Sequence, residues 1–262
     1  MTTPTQTERQ SQPQTHRGSS SSASDRAFPD GLPYRLRLLL VAAACLGAGC
    51  LAFSIDLPVA SWFKRRPSPV PGELMRLLNF SEAFAHGLGV AALFAILLTV
   101  DRSLALPWPG RDAARRNQFL RLVAATAAGG LTVDVIKLLV ERVRPRAADL
   151  GSVTSVFATF GLSALAGPDP SPSDIMSFPS GHAAVAAGFA AALGWKYRHA
   201  AAAFATLAGL AALQRVATSA HYPSDVAFGA AMGLLGAALS LGHDAVPPLA
   251  RAADSMADSP RA

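Results

Sequence analysis

Three short polar clusters interrupt an otherwise apolar sequence, and two of them carry cations suited to phosphate binding: Lys137, Arg144 and Arg215. Guanidinium groups pair with phosphate oxygens in a bidentate fashion, and Lys acts as a point charge, so a mixed set neutralises several oxygens of one phosphate. Each cation alone could instead extend from a helix end to the lipid headgroups. Together they predict an anion site, because ionisable groups at membrane depth usually mark function.

The second cluster is Pro179-Ser180-Gly181-His182, at the point where a loop is expected to become a helix. A Ser hydroxyl and the free backbone N–H groups of a helix start can converge on one anion. Gly181 permits close backbone approach, and His182 would stand beside whatever is bound there. An ordinary helix cap is the alternative interpretation of this short motif.

In the third cluster, His221 and Asp225 are four residues apart, with Pro223 between them at a favourable first helical position. A carboxylate on one imidazole nitrogen fixes the tautomer, leaves the other nitrogen free as a nucleophile, and stabilises the imidazolium that forms. This pair therefore predicts nucleophilic catalysis. The alternative is that Asp225 simply caps the helix.

The elements that would position these clusters are membrane helices. Of the 262 residues, 51% are hydrophobic and 15% are charged, and the apolar residues form long blocks. We predict an all-α polytopic bundle of about six transmembrane helices, in which Gly229 and Gly233 allow close helix packing. The candidate spans are 38–55, 83–100, 120–140, 180–195, 200–217 and 226–241.

The chain is expected to comprise a disordered tail (1–34), a six-helix membrane domain (35–243) and a cytoplasmic C-terminal tail (244–262). With the N-terminus inside, 14 of the 23 Lys and Arg residues lie on the inner side, as basic residues usually do. In this topology all three polar clusters fall at the outer membrane face.

Other classes of site are not favoured. The net charge of +6 lacks the basic helix or aromatic-interleaved patch expected of a nucleic-acid binder. Cys45 and Cys50 form no metal-binding motif, and we find no carboxylate cluster or His pair with metal-ligand spacing. His86 could reach the polar site or hydrogen-bond a neighbouring helix. No obligate protein partner is inferred.

The ordered pattern K-x6-RP, PSGH and R-x5-H-x3-D, from Lys137 to Asp225, resembles the three-part signature of the PAP2 (type 2 phosphatidic acid phosphatase) superfamily, which also includes vanadium haloperoxidases. The resemblance implies a PAP2/haloperoxidase-like helical core. One departure is visible, since Gln214 stands where the family commonly has Ser. Gln can still donate a hydrogen bond, but a phosphate contact at this position is put in doubt.

The resemblance implies a role for each matching residue. His221 would attack phosphorus to form a phosphohistidine, Asp225 would orient it, and His182 would protonate the leaving oxygen. No metal or other cofactor would be required. The remaining residues would hold the phosphoryl oxygens: Lys137, Arg144, Ser180, Gly181 and Arg215.

The function expected from this resemblance is hydrolysis of a lipid-linked phosphate or pyrophosphate. Membrane lipids are expected to surround the protein. Phosphatidic acid, phosphatidylglycerol phosphate, undecaprenyl pyrophosphate and a phosphorylated lipid A or sugar remain open as substrates. A bacterial inner membrane with a periplasm-facing site is the expected location. The alternative functions are those of a soluble vanadate-dependent haloperoxidase, a non-enzymatic transporter or lipid-binding relative, and a structural membrane protein.

Overall fold

The computed structural model describes residues 32–66, 69–101, 103–104, 113–161 and 171–241, and these residues are predominantly helical. Their β pairing is limited to isolated bridges from Arg142 to Phe160 and Met176. The prediction of an all-α fold is confirmed. The helices are α1 (Tyr34–Ala52), α2 (Asp56–Arg65), α3 (Gly72–Ser81), α4 (Gly87–Val100), α5 (Ala113–Leu139), α6 (Gly181–Lys196), α7 (Ala201–Ala217) and α8 (Pro223–Ser240).

Local sequence explains where the two helices nearest the polar motifs begin. Ser180 is the N-cap of α6, and its hydroxyl accepts a hydrogen bond from the Ala183 amide at 3.4 Å. Helix α8 begins with Pro223, whose missing N–H costs nothing in a first helical turn. The predicted starts of these two helices thus agree with the structure to within a few residues.

Helix α6 lies at the centre of the bundle, where it packs against α5, α7 and α8, and α8 also packs along α1. Most of α6 is buried and consists of Ala and Gly, so its neighbours approach closely. Aromatic rings fill the space at its middle, where Phe189 lies 4.7 Å from Phe84 and 5.1 Å from Phe94 between ring centroids.

Backbone contacts at glycines join α5, α6 and α8, and we call these contacts the glycine seam. A Cβ at Gly229 would overlap the Ser180 carbonyl oxygen, and a Cβ at Gly233 would overlap that of Ala184. On the other side of α6, a Cβ at Gly188 would lie 2.6 Å from the Ala125 oxygen. The predicted close packing at Gly229 and Gly233 is therefore present, and it sets the spacing of the helices that carry the polar motifs.

We expect Gly233→Ala to lower the melting temperature of the detergent-solubilised protein, because its methyl group would meet backbone atoms that no rotamer change can move. Overpacking of this kind costs about 1–3 kcal/mol. The matched control is Gly209→Ala on α7, where a Cβ has nothing within 4 Å and the substitution should be neutral or slightly stabilising. Equal melting temperatures for the two variants would contradict the seam.

The predicted count of six membrane spans is not established. Among the described residues, three helical stretches are long and apolar enough to cross a membrane: 34–52, 115–139 and 198–217. A fourth candidate is the pair 72–84 and 87–100, which is bent by 70° where a single second span was predicted. Helix α6, with 16 residues, is shorter than the roughly 20 that a crossing needs.

The predicted domain limits keep their standing as predictions. The described helices begin at Tyr34 and end at Ser240, inside the predicted membrane domain 35–243 except for the first residue. The predicted N-terminal tail, apart from its last three residues, and the predicted C-terminal tail lie outside the described residues.

Candidate active site

His221 and Asp225 lie at the start of α8, and both are almost fully buried. Asp225 does cap the helix, since one of its carboxylate oxygens accepts from the Tyr222 amide at 2.9 Å. The same oxygen lies 3.7 Å from His221 Nδ1, which is beyond hydrogen-bond distance. The expected hydrogen bond between the Asp225 carboxylate and the His221 imidazole is therefore not formed, although the two groups are close. A different group accepts the hydrogen bond of the imidazole.

That group is Ser177, three residues before the N-cap of α6. Its carbonyl oxygen lies 2.7 Å from His221 Nδ1, and its hydroxyl donates to Asp225 at 2.5 Å. A carbonyl can only accept, so Nδ1 must carry the proton and Nε2 is left with a free lone pair. Ser177 thus selects the tautomer that a nucleophilic imidazole needs, the role that sequence reasoning gave to Asp225 alone.

The Ser180 cluster is joined directly to this pair. The Ser180 backbone N–H donates to the Asp225 carbonyl at 2.9 Å, while the Ser180 hydroxyl is engaged in capping its own helix. At Gly181, a built Cβ would lie 3.4 Å from Lys137 Nζ, which places this ammonium beside the first turn of α6. The helix start and the Lys137 cation therefore lie side by side.

Arg144 and Arg215 supply further positive charge there. The Nε atoms of both are buried without a hydrogen-bond partner among the described residues. Burial, together with repulsion from Arg146 and Arg215, lowers the pKa of Arg144 below its usual range, although the guanidinium remains a cation. Cations held close together and incompletely paired favour an anionic ligand.

A lysine from another helix holds the segment that follows Arg144. Lys64 Nζ, at the end of α2, donates to the carbonyl oxygens of Ala148 at 2.5 Å and Arg146 at 3.2 Å. The carbonyl of Pro145, the residue after Arg144, is at the limit of hydrogen bonding at 3.5 Å. Lys64 therefore restrains the loop that presents Arg144.

His182 stands beside an acidic residue that the sequence did not single out. Its Nε2 lies 3.8 Å from a Glu82 carboxylate oxygen, and that oxygen accepts from Arg215 at 2.6 Å. His86 is also close, with its ring centroid 5.9 Å from that of His182. Of the two possibilities left open for His86, proximity to the polar site is the one observed.

The side chain of Gln214 contacts Asn79 and Glu82. Its amide nitrogen lies 3.3 Å from both Asn79 Oδ1 and Glu82 Oε2, and its side chain is buried. The residue that departs from the family pattern therefore ties α7 to the turn that carries Glu82. Its amide nitrogen is committed to protein partners, while its amide oxygen is buried without a hydrogen-bond partner among the described residues.

Four further residues surround the site and were missed from sequence: Glu82, Ser177, Arg142 and Asp56. Arg142 and Asp56 are wholly buried, and Arg142 donates to the carboxylates of both Asp56 and Asp225. The sequence did contain a signal for Glu82 and Asp56, because each directly adjoins the end of a predicted apolar span. Spacing alone does not say that they meet the motifs.

Metal coordination is not indicated by the side chains present. In the part of the chain that the structure describes, no group of three or more His, Cys, Asp or Glu residues is arranged to hold a metal ion. The charges nearest to His221 include the cations Lys137 and Arg144, which would repel a metal ion and attract an anion.

Comparison with known proteins identifies a family region and a similar fold. Residues 118–243 match the family model of the PAP2 superfamily, and all eight predicted site residues lie within them. The crystal structure of LpxE from Aquifex aeolicus has a similar fold, with a TM-score of 0.50 and 20% sequence identity over 71% of this chain and 94% of that chain. No curated protein matches the sequence significantly. Residues 118–243 of this chain therefore form a PAP2 superfamily region.

Proposed function

We propose that this protein is a membrane phosphatase that hydrolyses a lipid-linked phosphomonoester or pyrophosphate through a phosphohistidine, without a metal ion. The PAP2 superfamily region and helices apolar enough to cross a membrane support a membrane-bound phosphatase. The observation that carries the mechanism is the environment of His221. Its Nδ1 is engaged by the Ser177 carbonyl, and Lys137 and Arg144 lie within electrostatic range of its imidazole.

The reaction would proceed in two displacements at phosphorus. His221 Nε2 forms an N–P bond as the P–O bond to the lipid breaks, and His182 gives its proton to the leaving oxygen. A water molecule then attacks the phosphorus, its proton passes to His182, and the N–P bond breaks to release orthophosphate and neutral His221. Phosphoryl transfer asks the protein mainly for positioning and charge stabilisation, which Lys137, Arg144 and Arg215 can supply.

The N-terminus of α6 would complete the phosphate site. The amides of Gly181 and His182 lie in the first helical turn, where backbone N–H groups lack partners within the helix. Ser180 would act through the backbone it caps, since its hydroxyl already accepts from Ala183. Glu82, 3.8 Å from His182 Nε2, would offset part of the positive charge around His182.

Exposed apolar side chains beside the site support a lipid substrate. Leu138 and Leu139, which directly follow Lys137, are 77% and 80% exposed, and Phe157 is 67% exposed. Such side chains are expected to face acyl chains, so a lipid headgroup could enter by lateral diffusion. The candidate substrates are phosphatidic acid, phosphatidylglycerol phosphate, undecaprenyl pyrophosphate and a phosphorylated lipid A. The reaction would take place at the periplasmic face of a bacterial inner membrane.

The test is phosphate release by the detergent-purified protein from these lipids and from water-soluble phosphate esters, with and without EDTA. We expect release from at least one lipid to be at least about tenfold faster than from soluble esters, because remote binding energy assists the chemical step. EDTA should leave the rate unchanged. Loss of activity in EDTA would refute the metal-independent mechanism, and no release from any substrate would refute the phosphatase itself.

A further inference from the structure

A wholly buried charge network lies behind the proposed nucleophile. Arg142, two residues before Arg144, reaches inward from the segment that follows α5, and its side chain has no solvent exposure. Its guanidinium donates to Asp225, to Asp56 at 2.7 Å, to Ser224 at 2.8 Å and to Thr159 at 3.1 Å. Every nitrogen of the guanidinium is therefore engaged, which fixes its orientation.

Aromatic rings enclose the same guanidinium. Its central carbon lies 4.0 Å from the ring centroid of Tyr222 and 4.6 Å from that of Phe160. This enclosure keeps water away and strengthens the electrostatic interactions inside it. Charges within the network are therefore little screened by water, and a change in one of them is felt by its neighbours.

Asp56 is the far end of the network. It begins α2, and its carboxylate accepts from the Ser224 amide at 3.0 Å and from the Ser224 hydroxyl, as well as from Arg142. Ser224 immediately precedes Asp225. Asp56 therefore holds the first turn of α8 through the backbone and hydroxyl of Ser224.

The charge balance of this network is notable. Two carboxylates, Asp56 and Asp225, share one cation, Arg142, so the buried group carries one net negative charge next to His221. In the reaction proposed above, His221 becomes a cationic phosphoimidazolium. Because Arg142 alone would cancel Asp225, it is Asp56 that leaves a negative field to stabilise that cation.

We propose that Arg142 and Asp56 are positioning residues that orient Asp225 and keep the network net negative, so that His221 is stabilised as it becomes charged. This inference rests on the proposed function. Neither residue touches the substrate space, since both are wholly buried behind Asp225. Their effect reaches the reaction through Asp225 and through the start of α8.

The other charges that face His221 must be considered with it. Burial lowers the pKa of His221, Arg144 and Lys137 act in the same direction, and Asp225 raises it. His182 also lies within electrostatic range. The nucleophile must be neutral, so activity falls as the pH drops through the pKa of His221, and loss of a nearby negative charge lowers that pKa further.

Asp56→Asn is the first test, because it removes the charge with little change in shape. The acid limb of the kcat/KM profile should move to lower pH by at least about 0.5 unit, and kcat at neutral pH should fall. Glu141→Gln is the matched control, since Glu141 adjoins Arg142 but is exposed, and its profile should be that of the wild type. An active Asp56→Asn variant with an unshifted acid limb would overturn the inference.

Arg142→Lys provides an independent test should Asp56→Asn not fold. It keeps the charge but loses the fork that joins Asp56, Ser224 and Asp225, so kcat should fall about tenfold or more while KM stays within about threefold. The acid limb should not move, because the charge is retained. Wild-type kcat in this variant would overturn the inference.

A measurement without turnover separates this inference from the proposed function. The imidazole signals of the six histidines can be titrated by NMR, with His221 assigned by its absence in His221→Gln. The His221 titration should shift to lower pH in Asp56→Asn and not in Glu141→Gln, even if no substrate has been found. A wild type that releases no phosphate but shows this shift would refute the function and leave the charge network intact.

Discussion

His221→Ala is expected to lower phosphate release by at least about a thousandfold, the scale typical of removing a nucleophile that acts as one unit with its partners. The side chain is 2% exposed, and its Nδ1 is held by the Ser177 carbonyl. The measurement is the initial rate of orthophosphate release in detergent or vesicles.

His199→Ala is the matched control for that variant. His199 is exposed in the turn between α6 and α7, so its removal should leave both the rate and the melting temperature unchanged. Acid-labile, base-stable labelling of the wild type by a substrate carrying radioactive phosphate would identify the phosphohistidine directly. Normal turnover by a folded His221→Ala variant would show that another group is the nucleophile.

Arg144→Ala is expected to lower kcat/KM by about a hundredfold or more, as the loss of a cation that stabilises a phosphoryl group usually does. Its partly buried guanidinium has an unpaired Nε, and Lys64 restrains the loop that presents it. The folded protein therefore already holds an incompletely paired cation at Arg144 before the substrate binds.

Arg146→Ala is the comparison that makes the preceding result specific. Arg146 lies two residues further along the same loop, but its side chain is 45% exposed and pairs with Asp174. An exposed ion pair contributes little, so kcat/KM should stay within about threefold of the wild type. Equal losses in the two variants would mean that the loop, and not the Arg144 charge, limits the reaction.

The residues predicted to act on phosphate could be recognised because their spacing follows local structure. Pro223 and Ser180 mark helix starts, and the positions of His221 and Asp225 relative to Pro223 bring both to one helix end. What spacing could not reveal is which group contacts the His221 ring. Ser177 is 44 residues away in sequence, and its carbonyl, a group that every residue carries, makes the contact.

The buried partners were missed for a related reason. Asp56 and Arg142 are 86 residues apart and meet only after α1, α2 and α8 have packed together. In the sequence, Asp56 is one acid at the end of an apolar block, and Arg142 is one of several basic residues near Arg144. A charge pattern of that kind is equally typical of lipid-facing helix ends.

The number of spans was harder to predict than the helices themselves. Hydropathy identifies an apolar segment but does not distinguish burial among other helices from exposure to lipid. Helix α6 is apolar because it lies inside the bundle, and the segment around Glu82 is apolar on both sides of a sharp bend. In both cases tertiary packing, and not local composition, decides the path of the chain.

The glycine seam has a consequence for how this protein can diversify. A Cβ at Gly229 or Gly233 would overlap a carbonyl oxygen of the Ser180–Ala184 segment. A substitution by any larger residue would therefore push apart the helices that carry the motifs. Drift in substrate preference is therefore expected to accumulate outside the seam and the charge network, for example in the segment 149–155, which follows the loop that presents Arg144. The packing of the helices would then stay the same during evolution, while the residues that recognise the lipid change.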